Sequence, residues 1–148
     1  MNDQLAKNAS LLLLRFGTGG LLLVWGAQRL IAPATGPHLA TRYYSGLFEN
    51  GTLQLAYGAA EVALGALIIL GLFRGFAYVA QAVILITGAG FIWRQLLDPL
   101  SLYLLDKDSA QILFFPSVTV AAATLVLLAF RNEDRWSADA LMKGKRRK

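Results

Sequence analysis

The sequence predicts an all-α protein, a bundle of four transmembrane helices with short interfacial helices in its two outer loops. Three observations carry that expectation. The 148-residue chain is 56% hydrophobic and only 16% charged, above the apolar share and below the charged share of soluble domains. Its charges are unevenly placed, with seven of the fourteen Lys and Arg residues following Phe130. Four stretches reach the roughly 20 residues that a helix needs to cross about 30 Å of hydrocarbon.

The first stretch runs from Leu11 to Ile31, with Arg15 and Arg29 near its ends, where long side chains can snorkel to headgroups. Pro33, Gly36 and Pro37 then stop it. The second runs from Leu53 to Phe73 with Glu61 as its single charge, and the third from Gly75 to Trp93 with none. Only a short turn around Arg74 separates them, so they form an antiparallel hairpin. The fourth runs from Ser109 to Phe130, uncharged, with Pro116 tolerated in its first turns. No small-residue cleavage site follows the first stretch, which reads as a retained helix.

Basic residues near the ends of the spans set the orientation. Lys7, Arg15, Arg74 and the residues from Arg131 onward fall on one side; Arg29, Arg42, Arg94 and Lys107 fall on the other. The more basic side is the cytoplasm, which puts both termini there in an inner (plasma) membrane. Residues 1–131 then form the transmembrane domain and 132–148 a polar, frayed basic tail. The net charge of +5 is concentrated in that tail beside a membrane stretch, so anionic lipid explains it more simply than nucleic acid does. The outer loops His38 to Phe48 and Leu96 to Leu105 mix aromatic or apolar residues with polar ones and are expected to lie on the bilayer as short helices.

Function has fewer handles. The chain has no cysteine, so disulfide, thiol-relay and thiolate-metal chemistry are excluded. His38, the single histidine, cannot alone hold haem or zinc. The informative residue is Glu61, about 12 Å below the surface, where an ionised carboxylate must be paired or neutralised. Arg29 lies about 9 Å above it and can bend inward, at a depth bracketed by Trp25 and Gln28; Arg15 lies about 12 Å toward the cytoplasmic side and is the poorer partner. The leading reading is a buried Glu61–Arg29 pair that sets helix register. A proton-carrying or ligand-binding carboxylate is the alternative, with a neutral, lipid-facing acid behind it. Gln54, Gln81, Gln95 and Tyr57 are expected to bond between helices, or else to line a quinone or substrate pocket. Arg94 and Asp98, four apart, read as a surface ion pair, and Trp25, Trp93 and Trp136 as interface anchors.

Small residues are placed for helix contact. Arg15, Gly19, Leu22, Gly26 and Arg29 share one stripe of the first helix, while Gly51, Gly58 and Gly65 repeat every seven residues on the second with Glu61 on the same side.

These residues resemble the DoxX-like membrane protein family. Leu12 to Gly17 reads Leu-Leu-Leu-Arg-Phe-Gly and Trp25 to Leu30 reads Trp-Gly-Ala-Gln-Arg-Leu before Pro33, similar to the family's Leu-rich Arg-x-x-x-Gly opening and Gly-x-x-Lys close, with Arg29 in place of the usual Lys. Glu61 precedes a Gly-rich run ending Leu-Gly-Leu-Phe at Phe73. Arg135-Trp136-Ser137-Ala138-Asp139 is similar to the family's Ser-Leu-Asp ending, with Ala138 in place of Leu. The likeness covers roughly residues 11–140. Because some relatives serve oxidoreductases, including a thiosulfate:quinone oxidoreductase, it implies a non-catalytic membrane subunit that docks or supports a soluble or membrane redox or sulfur-handling partner. No cofactor of its own is required in that role, and no stand-alone enzyme is expected. Two alternatives stand beside it: a quinone-binding oxidoreductase subunit using Arg29, Glu61, Gln28 and Tyr57, and a small proton-linked transporter using Glu61. Four short helices with no broken pair count against the transporter unless the chain forms a homo-oligomer.

Overall fold

The computed structural model describes residues 3–32, 37–38, 41, 50–106 and 112–145. Among these the protein is all-helical. Helix α1 spans Asp3–Ile31, α2 Gly51–Leu70, α3 Arg74–Phe91, the short α4 Trp93–Leu97, α5 Pro116–Ala129 and α6 Ala138–Lys145, with a 3-10 turn at Ile112–Phe114 preceding α5. Four helical stretches, α1, α2, α3 and 112–129, are long and apolar enough to cross a membrane.

Their surfaces are apolar where a water-soluble protein would be polar. Leu13, Phe16 and Val24 on α1, Phe76 and Val83 on α3, and Leu113 at 85% are all exposed. Large apolar side chains exposed in such number mark a membrane or protein contact surface. The interior is small: Leu11, Leu22, Leu64, Ile68, Ala77, Tyr78, Leu85 and Leu127 form one cluster.

Helices α1 and α2 make the closest contact, antiparallel and backbone to backbone. A Cβ built on Gly26 would stand 2.5 Å from the Gly58 carbonyl oxygen, and one on Gly65 2.6 Å from that of Gly19. The seven-residue spacing on each helix thus brings the two glycine pairs together, and close approach gives lipid-embedded helices their van der Waals contact. Gly51, the third member of the expected repeat, has nothing within 4 Å and lies outside the seam.

Several boundaries differ from expectation for identifiable reasons. Helix α1 starts at Asp3 rather than Leu11, with Asn8 buried and Lys7 paired to Glu133. Helix α2 stops at Leu70 rather than Phe73 because Gly71 turns left-handed (φ 68°); its N–H goes to Ile68 O at 3.0 Å and that of Leu72 to Leu67 O at 2.9 Å. This is the two-bond Schellman ending. The fourth span is divided, since Pro116 occupies the first turn of α5, where its missing N–H costs nothing, and a 3-10 turn precedes it.

The loop after α4 is a second correction. A helix was expected to lie over 96–105, but the chain past Leu97 wraps around Asp98. Its carboxylate accepts the N–H groups of Leu102, Tyr103 and Leu104 at 2.7–2.8 Å and of Leu105 at 3.3 Å. Arg94 does not pair with it; the guanidinium lies over the Trp93 ring, 5.5 Å from its centroid. Burial opposes ionisation of Asp98, yet the four donors outweigh it and bring the carboxyl down to about 2. The other expected interfacial helix, over 38–48, falls almost wholly outside the described residues.

Candidate functional site

Two polar clusters lie at opposite ends of the helices. The first forms where α1 ends and α2 begins. On α2, Gln54, Tyr57, Gly58 and Glu61 share the face turned to α1, as spacings of three, four and seven require. Gly58 leaves room for Arg29, whose Cβ would stand 2.8 Å from a Cβ at that position, so the arginine can run down the groove to the acid.

The geometry is a closed set. Arg29 Nη1 donates to Glu61 Oε2 at 2.9 Å and its Nε donates to Gln54 Oε1 at 3.0 Å. The guanidinium also lies 4.9 Å from the Tyr57 ring centroid, a cation–π distance. Glu61 is buried to 1% exposure, whereas Arg29 remains 19% exposed at its side chain. The pair expected from depth is therefore present. Its guanidinium is held further by Gln54 and the Tyr57 ring.

Other expected members are elsewhere. Gln28 is exposed, about 200° around α1 from Gly26 at 100° per residue, and faces away from α2. Trp25 contributes its carbonyl, which accepts from Arg29 Nη1 at 3.4 Å, and the residue is 38% exposed. Gln81 on α3 is fully buried, and neither its amide nitrogen nor its oxygen has a hydrogen-bond partner among the described residues, so the expected interhelical bond is not made.

Arg15 departs furthest from expectation. It does not snorkel but is buried to 1% exposure in the second cluster, where residues 131–139 fold back against the α2–α3 turn. Arg15 Nε lies 3.4 Å from Asp134 Oδ2, and its Nη2 donates to Trp136 O at 3.2 Å. The same Asp134 oxygen accepts the Tyr78 hydroxyl at 2.9 Å. Arg74 donates to the carbonyls of Arg131 and Asp134, and Ser137 Oγ donates to Asp134 O at 2.7 Å. Asp139 accepts the N–H of Phe73 at 3.1 Å and of Arg74 at 2.9 Å. The segment expected to be frayed thus supplies buried groups, and α6 follows it. Tyr78, Asp134, Ser137 and Asp139 were not singled out for a site. The available signal was three acids, Glu133, Asp134 and Asp139, in the otherwise basic stretch 131–148 on the same side as Arg15 and Arg74.

Among the described residues, no group of His, Cys, Asp and Glu side chains could hold a metal ion. Each cluster sets its arginines against carboxylates, Arg29 against Glu61 and Arg15 and Arg74 against Asp134 and Asp139. No family model, characterised protein or solved structure matches the chain.

Proposed function

We propose that the protein is a multi-pass inner-membrane protein whose four helices form a transmembrane bundle with both termini in the cytoplasm. Its role in this reading is that of a non-catalytic subunit that docks or supports a redox- or sulfur-handling partner. The observation that carries the non-catalytic part is that the acid on α2 is paired internally: Glu61 is held by Arg29, and Arg29 also by Gln54. The partner class rests on the DoxX-like motifs alone.

The orientation follows from the basic end, where Arg131, Arg135 and Lys143 are exposed beside Trp136, Leu141 and Met142, a combination suited to an anionic leaflet. A reporter active only in the cytoplasm, fused before Met1 or after Lys148, should be active in both cases, and one inserted after Asn50 should be silent. Purification in mild detergent should retain a redox- or sulfur-handling protein. Purification as a lone chain, with normal oxidoreductase activity in cells lacking it, would remove the subunit reading.

A second reading is favoured by the partial exposure of Arg29. With 19% of its side chain open beside the Tyr57 ring, the guanidinium could present a donor to a quinone carbonyl. Quinone that copurifies with the wild type and is lost in Tyr57→Phe and Arg29→Lys variants that remain folded in detergent would select it.

A further inference from the structure

A crevice of about 210 Å³ opens between α1, α3 and the start of α5. Its walls include Leu21 and Trp25 of α1, Leu85 and Gly88 of α3, Ile92 just past its end, and Val120 of α5. Gly88 marks it as unfilled space. A Cβ there would meet nothing within 4 Å, whereas at Gly19, Gly26, Gly58 and Gly65 a neighbouring helix already stands where the Cβ would go. Four glycines therefore serve helix contact, and Gly88 borders a gap that neither α1 nor α5 closes.

Size and lining select the occupant. Water in a cavity requires about two to four polar partners, and the walls offer few polar side-chain groups, chiefly the Ser117 hydroxyl and the Trp25 indole N–H. A site that encloses a whole small molecule occupies roughly 300–1,000 Å³, so this one takes a segment of something longer. The lining comes from helices long and apolar enough to cross a membrane, and Leu113 at the rim is 85% exposed. The available long, apolar molecule at that depth is the bilayer itself.

We propose that the crevice seats one hydrocarbon chain of a bilayer lipid, a site that rests on the membrane-spanning reading above. Contact with a surface this shape supplies dispersion attraction that a flat helix face does not.

The test uses the full chain carrying Trp93→Phe and Trp136→Phe, which leaves Trp25 as the sole tryptophan. It is reconstituted in phosphatidylcholine vesicles containing a lipid brominated along one acyl chain. Quenching of Trp25 is expected to fall by about half or more when Gly88→Leu fills the gap, and to an intermediate extent with Gly88→Ala. Gly17→Leu, at another exposed glycine with nothing within 4 Å, should leave it unchanged. If the leucine variant at 88 loses thermal stability, the alanine variant decides. Unchanged quenching in both Gly88 variants overturns the proposal. Extraction of vesicles with alkaline carbonate separates the two readings: release of the chain removes the membrane-spanning reading, while retention with unchanged quenching removes only the lipid seat.

Discussion

Asp139 caps the helix that begins at Arg74, although 65 positions separate them; its Oδ2 accepts the Arg74 N–H at 2.9 Å and its Oδ1 accepts that of Phe73 at 3.1 Å. Phe73 sits at the N-cap position with a left-handed backbone (φ 49°) and offers no side-chain acceptor of its own. Two N–H groups at the start of α3 are therefore satisfied from α6, and the Asp139 N–H in turn donates to Gly71 O at 3.2 Å. Asp139→Ala should lower stability by about 1–2 kcal/mol, at the upper end of cap losses, and Asp139→Asn by less because one acceptor oxygen survives. Thermal unfolding in detergent reads both. Truncation after Met142 should leave the transition in place, since the capping residues precede it.

The Arg29–Glu61 pair should behave as a unit. Replacing either partner alone with Gln leaves a buried group uncompensated, at a cost of about 3–5 kcal/mol. The double variant should cost less than the sum, and a double-mutant cycle on thermal stability measures the difference. Arg29→Lys should rescue only partly, because an ammonium cannot address both Glu61 and Gln54 through a rigid fork. Strict additivity would mean that the two side chains act independently.

Acid should open the loop after α4. The folded carboxyl of Asp98 stands at about 2, below the ordinary unfolded value of about 3.9. A depressed folded value stabilises the folded loop above the unfolded value and loses that contribution as pH falls through the folded one. Trp93 emission followed from pH 6 downward should be flat to about pH 4 and change toward pH 2. In Asp98→Asn the loop should be weakened at neutral pH and this titration step absent.

The α1–α2 seam should reject added volume. Gly26→Ala and Gly65→Ala each place a methyl against backbone at 2.5–2.6 Å, which should cost about 1–3 kcal/mol as overpacking. Gly51→Ala, with open space around it, should be tolerated. Equal effects at 26 and 51 would show that the close approach contributes nothing.

Gln81 offers the opposite sign. Its amide is enclosed without a partner among the described residues, and an unbonded buried polar group carries a desolvation cost of about 1–3 kcal/mol. Gln81→Leu, close in volume, should raise the midpoint of thermal unfolding. A lowered midpoint would show that the amide is bonded in the membrane.

The sequence by itself determined the number and approximate limits of the four helices long and apolar enough to cross a membrane, because length and apolarity are local properties of the chain. It also located the Glu61–Arg29 pair and the glycine faces, since depth and helical phase follow from counting residues. The tertiary structure alone decided where Arg15 points. An arginine near a helix end can reach headgroups or turn inward, and the choice depends on whether a distant acid meets it; Asp134 does so at 3.4 Å. Gln28 and Gln81 were misplaced for the same reason, as counting residues gives depth but does not say which neighbouring helix faces a side chain. The loop at Asp98 and the cap at Asp139 were out of reach because each carboxylate is bound by backbone N–H groups, which every residue carries and no residue pattern marks.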